Sequence, residues 1–375
     1  MAAELFIGLM SGTSLDGVDG VLADFSEGRI AVRAYATAPF PAALRAELMA
    51  LNTPGDNELH RAALAGNGLA RIYASVVGQL LADSGASASE VTALGAHGQT
   101  VRHRPTEFDG VGYTLQINNP SLVAELTRID VVADFRSRDL AAGGQGAPLV
   151  PAFHRAMFAR AAEPVAVLNI GGISNLSLLP PLDTPENPAV LGFDCGPGNA
   201  LMDHWCQLHT GEPFDRGGQW AASGQVLPVL LAQLQAEPYF AKAPPKSTGR
   251  DLFNPAWLSA RVGTATAFAP ADVQATLTEF TATVCAADVL RYGNDSKLLI
   301  VCGGGALNDH LVGRLRALLP AVDVAASTEH GLPPLQVEAA AFAWLARSTV
   351  RREAGNLASV TGACGARVLG AVYPA

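Results

Sequence analysis

Residues 5–25 read LFIGLMSGTSLDGVDGVLADF, and the parsing of this stretch decides the fold. Two apolar runs, 5–10 and 18–25, flank a turn rich in Gly, Ser and Thr, which is the pattern of a β-hairpin. Gly12 and Gly17 permit backbone angles that other residues avoid. Ser11, Thr13 and Ser14 are expected to bring hydroxyls to the tip, and Asp16 and Asp19 to bring carboxylates. Exposed N–H groups and hydroxyls form a nest for an anion, and nearby carboxylates can hold a hydrated Mg²⁺. An ordinary surface hairpin would show the same pattern, so these residues alone leave both readings open.

The rest of the chain narrows the choice. Its 375 residues suggest two domains at roughly 150 residues each. The 49% hydrophobic content is enough for a large core. No apolar run approaches the roughly 20 residues of a membrane span, and the start lacks the pattern of a signal peptide. The expectation is a soluble, cytoplasmic protein. A net charge of −9 argues against nucleic-acid backbones as partners. The three lysines are Lys242, Lys246 and Lys297, so the hairpin is not a lysine-bearing P-loop. Any grip on phosphate there must come from backbone, hydroxyls and metal. Five cysteines without a CxxC pair fit a reducing compartment and no structural zinc.

Beyond the hairpin, leucine spacing predicts helices over 41–52 and 56–83, the second capped by Asp56 and kinked at 66–68. A strand over 91–96 leads to His97, Gly98, Gln99 and Thr100. Polar residues released at a strand end suit ligand contact, although a lone histidine is commonly structural. The Gly-rich stretch 142–148 is the candidate inter-domain crossing.

The second half opens like the first. VAVLNIGGISNLSLL, 165–179, is another strand, glycine turn and strand. The repeated device suggests two such turns, one per lobe. Asp194 is expected where a strand stops, just ahead of a helix, as a capping or turn residue or as a functional carboxylate. A strand over 298–302 runs into Gly303, Gly304 and Gly305 and then a helix. That brings backbone close to an anionic or flat ligand, but Asn308 stands where the dinucleotide fingerprint needs its third glycine, so a nicotinamide enzyme is disfavoured. Glu338 lies near the start of a helix over 335–351. It is either a charge favoured by the helix dipole or a site residue.

Together these motifs resemble the anhydro-N-acetylmuramic acid kinases of bacterial peptidoglycan recycling, within the sugar kinase, Hsp70 and actin superfamily. The matching stretches are GLMSGTSLDGVD at 8–19, HGQTVRHRP at 97–105 and GGQGAPLVP at 143–151. They continue with NIGGISN at 169–175, GFDCGPGNALMD at 192–203 and GNLASVTGACGARVLGAVYP at 355–374. The resemblance implies an α/β fold of two lobes, each a mixed β-sheet flanked by helices, with ATP in the cleft. The N-terminal lobe would be 1–135 with 352–375, and the C-terminal lobe 136–351. Gly12, Thr13, Ser14, Leu15, Asp16, Gly17, Val18 and Asp19 become the phosphate loop. Gly171 and Gly172 become its counterpart, and Gly303 and Gly304 the turn at the adenosine. The implied reaction uses water to open the 1,6-anhydro ring and ATP to phosphorylate the freed O6, giving N-acetylmuramic acid 6-phosphate. Asp194 would be the general base for that water. Asp16 or Asp19 would face Mg²⁺ through water, and His97 and Glu338 would touch the sugar. The family usually has Thr where this chain has Cys195, which implies that a hydroxyl is missing beside Asp194. A homodimer is also implied. The competing readings are a kinase of a free sugar hydroxyl and a non-enzymatic, ATP-clamping module.

Overall fold

The computed structural model describes residues 3–12, 15–26, 28, 30–184, 188–249, 251–263, 268–293 and 295–375. The chain divides into two compact units, Met1–Met157 with Gln336–Ala375, and Phe158–Leu335.

In the first unit the opening stretch forms the expected hairpin. β1 (Leu5–Ser11) and β2 (Gly17–Asp24) are antiparallel, with Met10 opposite Asp19, and β3 (Ala31–Pro39) continues the meander. β4 (Val91–Pro105) lies parallel to β1 on the other side and pairs with β5 (Gly112–Ile117) and, in parallel, with β6 (Val131–Ala133). The strand Ala371–Tyr373 closes this sheet against β6.

The second unit repeats the order. β7 (Val165–Ile170), β8 (Ile173–Leu179) and β9 (Leu191–Pro197) form an antiparallel meander. β10 (Leu298–Cys302) runs parallel to β7, and β11 (Asp323–Ala326) parallel to β10. In both units, then, three antiparallel strands are followed by two more that run parallel to the first. Two mixed sheets with flanking helices are the expected architecture. Every residue of β7 and β10 is buried, as in strands covered on both faces.

Packing explains where helices sit. Helix Val337–Val350 has Ala at 339, 340, 341 and 343, and it lies directly on β1 and β4. A Cβ on Gly8 would collide with the Ala339 carbonyl, and one on Gly95 with the Phe342 carbonyl. In the second unit helix Pro270–Tyr292 is buried on nearly every side, the mark of a central helix.

Several expectations are corrected. The helix Glu58–Ser84 runs unbroken through Gly66, whose missing side chain leaves room for the Asn118 carbonyl 3.0 Å from where a Cβ would be. Its N-cap position is Asn57, not Asp56. β4 continues to Pro105, so His97 and Gln99 lie inside a strand and not at its end; the register shift between Leu9 and Ser11 and the positive φ of Gly98 absorb the irregularity. The Gly-rich stretch 142–148 is no crossing. It is bound to the C-terminal tail, with Gln145 N donating to Thr361 O (2.7 Å) and Cys364 N to Ala142 O (2.8 Å). Segments 136–157 and 336–351, expected in the second lobe, fall in the first unit, because the small-residue helix 337–350 packs on that unit's sheet.

Candidate active site

The second unit builds a polar row. Strand register sets Asn169 of β7 opposite Asn175 of β8, and Asn175 opposite Asp194 of β9. Directly opposed residues share a sheet face, so these three polar side chains cross the sheet together. Asp194 lies within β9, which runs on to Pro197, and the helix Ala200–Thr210 starts only later. It therefore lies inside a strand and not where one stops just ahead of a helix, and of the two readings the helix cap falls away.

Backbone donors and acceptors hold Asp194 in place. Its N–H donates to Lys246 O (3.2 Å), its carbonyl accepts from the Tyr239 hydroxyl (2.7 Å), and its Oδ2 accepts from Thr248 N (3.0 Å). No described residue donates to Oδ1. Burial pushes the carboxyl up to about 6, against the pull of the Thr248 N–H and the Lys246 charge. One oxygen held, one open and a proton affinity near neutrality are the properties of a general base.

Cys195 does not stand beside that carboxylate. Neighbouring strand residues face opposite ways, and Cys195 is fully buried, hydrogen-bonded to Cys285 and Asp288. The expectation of a missing hydroxyl beside Asp194 is thereby corrected.

One end of the row meets two glycine turns. The Gly171 and Gly172 carbonyls accept from Asn199 N (2.8 Å) and Gly198 N (2.9 Å), and Gly171 N donates to Ile173 O. That leaves the Gly172 N–H without a partner among the described residues. Ser174 Oγ, fully buried, is likewise unpartnered and lies 3.0 Å from where a Gly198 Cβ would be. Gly303 has φ +76°, and a Cβ there would strike Asn169 Oδ1. Gly304 is exposed, with only Asn199 Nδ2 within 3.4 Å of its would-be Cβ. Asn199 is bound to the first turn, donating from Nδ2 to Ile170 O (3.1 Å), and lies against the second.

In the first unit the 12–19 corner is described at Gly12 and from Leu15 onward. Leu15 adopts φ +59° and donates its N–H to Gly12 O (3.2 Å). Leu15 and Val18 bury their side chains, so only their backbone is available to a ligand. Thr13 and Ser14 lie outside the described residues. The Ser11 hydroxyl is not at the tip as expected; it is buried, donates to Gly98 O (2.9 Å) and meets the Tyr73 hydroxyl. Gly17 has the Ala38 carbonyl where a Cβ would go.

Asp16 is exposed and near Asp19. Burial pushes Asp19 above the usual carboxylate range, the Tyr35 hydroxyl bound to its Oδ1 (2.6 Å) pulls it back, and Asp16 pushes it up again. Two crowded carboxylates with hard oxygen donors fit Mg²⁺, which keeps several waters and takes one or two carboxylates together with phosphate oxygens. Among the described residues no group of three or more His, Cys, Asp or Glu could hold a metal.

His97 and Glu338 converge on Arg136, a residue that sequence reasoning missed. Arg136 Nη2 donates to His97 Nε2 (2.8 Å) and Nη1 to Gly146 O (2.7 Å). Arginine only donates, so Nε2 is the bare nitrogen and Nδ1–H donates to Ser11 O (3.2 Å). Burial, with the Arg136 charge, lowers His97 to about 3, so it stays neutral. Burial also lowers Arg136 to about 10, opposed by the charges of Glu338 and Asp139. Asp139, fully buried, accepts from Asn356 Nδ2 (2.7 Å), Thr361 Oγ1 (2.8 Å) and Gly146 N (2.8 Å). Only the FRSRD run at 135–139 could have flagged Arg136. Thr248, Tyr239 and Tyr35 carried no motif signal.

A family model described as anhydro-N-acetylmuramic acid kinase matches residues 4–375. The chain is 88% identical over 375 residues to an anhydro-N-acetylmuramic acid kinase of Variovorax paradoxus (strain S110), covering 100% of both chains. It is 62% identical over 388 aligned positions to that of Albidiferax ferrireducens, again covering 100% of both. Among solved structures, an activator of 2-hydroxyisocaproyl-CoA dehydratase from Clostridium difficile with bound ADPNP aligns with TM-score 0.49 and 13% identity, over 93% of this chain and 96% of that one.

Proposed function

The chain belongs to the anhydro-N-acetylmuramic acid kinase family, and from that premise we propose that it opens 1,6-anhydro-N-acetylmuramic acid with water and phosphorylates O6 from ATP, in cell-wall recycling. The observation that carries the mechanism is Asp194, with one carboxylate oxygen tied to Thr248 N, the other without a donor among the described residues, and a carboxyl raised to about 6. Water attacks C1 as Asp194 takes its proton. The C1–O6 bond breaks, and O6 takes up the γ-phosphoryl group. A separate acid for the leaving oxygen, as in ordinary glycoside hydrolysis, is not needed.

Phosphoryl transfer depends chiefly on positioning and charge. We assign phosphate contacts to the backbone of Gly12, Thr13, Ser14, Leu15, Asp16, Gly17, Val18 and Asp19, and to Gly171 and Gly172. The unspent Gly172 N–H and buried Ser174 hydroxyl support the second set. Gly303 and Gly304 are assigned to the adenosine, supported by the open surface at Gly304. Asp16 and Asp19 would hold Mg²⁺, which supplies charge neutralisation at the phosphate oxygens. Glu338 is assigned to the sugar directly. His97 acts through Arg136, because both its ring nitrogens are already engaged. A homodimer and a cytoplasmic location complete the reading; among the described residues no helix is long and apolar enough to cross a membrane. The readings as free-sugar kinase or non-enzymatic clamp draw no support from the relatives.

The test is a phosphate-transfer assay with the anhydro sugar against a panel of free amino sugars and hexoses. Turnover of the anhydro sugar with Mg²⁺·ATP is expected. Turnover of free sugars alone would overturn the assignment.

A further inference from the structure

β9 is the outer strand of its sheet, and an outer strand leaves alternate backbone groups unpaired. Here the 242–249 segment covers it. Lys246 O takes the Asp194 N–H, and two residues later Thr248 N reaches the carboxylate. Between these contacts the Lys246 side chain turns to the far face of the strand. The side chain is 1% exposed, and its ammonium lies 3.0 and 3.2 Å from the two Asp288 oxygens, 5.3 Å from the Phe193 ring centroid and 5.4 Å from that of Tyr239. Phe193 immediately precedes Asp194, and the Tyr239 hydroxyl binds its carbonyl. Asp288 belongs to the central helix Pro270–Tyr292 and also accepts from Cys195.

A fully desolvated ion pair contributes little net stability compared with well-packed apolar residues, so stability alone does not account for this one. The covering segment is otherwise irregular, and among the described residues 242–249 no other side chain hydrogen-bonds to the central helix. We propose that Lys246 is a positioning residue for Asp194: its ammonium, tied to Asp288, pins the segment whose Thr248 N–H holds one carboxylate oxygen and leaves the other open to the reacting water. The inference rests on the assignment of Asp194 as base. The charged and titratable groups that act on Asp194 from the elements packed around it are Lys246 and Tyr239; Asp288 and the Cys195 and Cys285 thiols lie behind the strand with the Lys246 ammonium.

Two variants test this, Lys246→Gln and Lys246→Met with Asp288→Leu. The second removes both charges and leaves no unpaired carboxylate. In each, kcat for anhydro-sugar phosphorylation should fall roughly ten- to a hundredfold, the cost of a displaced reacting group, with KM for ATP unchanged. Lys246→Gln loses the nearby positive charge alone, which raises a carboxyl's proton affinity, so its acid limb in the kcat/KM profile should move up by roughly one pH unit; in the double variant the lost Asp288 charge offsets that shift. Lys246→Arg, which retains the charge and the pairing, should recover most of kcat and the wild-type limb. A folded double variant with wild-type kcat would overturn the inference. Failure of both test variants to fold would overturn it too, since Lys246 would then be a stability residue. If wild type itself does not phosphorylate the anhydro sugar, or if Asp194→Asn is fully active, it is the parent assignment of function that fails.

Discussion

At Asp194 the burial that makes the carboxylate a usable base also weakens the folded state. Its carboxyl stands near 6 when folded, against an ordinary 3.8. Between those values the folded chain binds the proton more tightly than the unfolded one, so stability is lost as pH rises through the window, and the whole loss stands above about pH 6. Asp194→Asn should therefore be more stable than wild type at pH 8 by on the order of 2 kcal/mol, the difference vanishing towards pH 4. Urea midpoints at the two pH values measure it; a less stable variant at pH 8 would contradict the burial argument. The same carboxyl sets catalysis, because a protonated base cannot act. Wild-type kcat/KM should fall about tenfold per unit below pH 6. At the other carboxylate, Tyr35→Phe removes the hydroxyl that orients Asp19 Oδ1. Removing such a supporting hydrogen bond should raise the Mg²⁺ concentration for half-maximal rate by roughly tenfold, read from a Mg²⁺ titration at saturating ATP.

Between elements, the closest approach in the first unit is helix Val337–Val350 on β1 and β4. Gly95→Ala would put a methyl into the Phe342 carbonyl. Overpacking of that kind should destabilise by roughly 1–3 kcal/mol, seen as a lower urea midpoint. Unchanged stability would mean that the helix can shift freely. The small residues of that helix were readable in sequence, and so was close packing; which strands it would cover was not. Helix Pro270–Tyr292 and strand Leu298–Cys302 were legible to the residue, because Pro270 opens the one and Gly303 ends the other. The end of β4 was misread because Gly98 has the backbone freedom of a turn glycine but spends it on a register shift inside the strand. The position of Asp194, expected where a strand stops just ahead of a helix, was misplaced for a related reason. The GPG run that follows looks like a turn, but β9 extends through Pro197.

Over the whole molecule, a topology appears twice although the two halves share little sequence beyond a strand, a glycine turn and a strand. The two hairpins with their glycine turns were legible, since they depend on glycines and apolar runs close in sequence; the polar row across the second sheet was not, because it is set by strand register. Nor was what holds them. Lys246 meets Asp288 across 42 residues and Asp139 meets Thr361 across 222, and no local pattern signals such pairs. The account's central claim is that Asp194 deprotonates a water that attacks the anomeric carbon. It is tested most directly by running the reaction in ¹⁸O-water, quenched before the anomeric hydroxyl exchanges, and following label in the product by mass spectrometry for wild type and Asp194→Asn. Wild type should gain one label at C1 with each turnover and none in the phosphoryl group, while the variant forms almost no labelled product. Unlabelled product from wild type, or labelling by the variant at the wild-type rate, would contradict it.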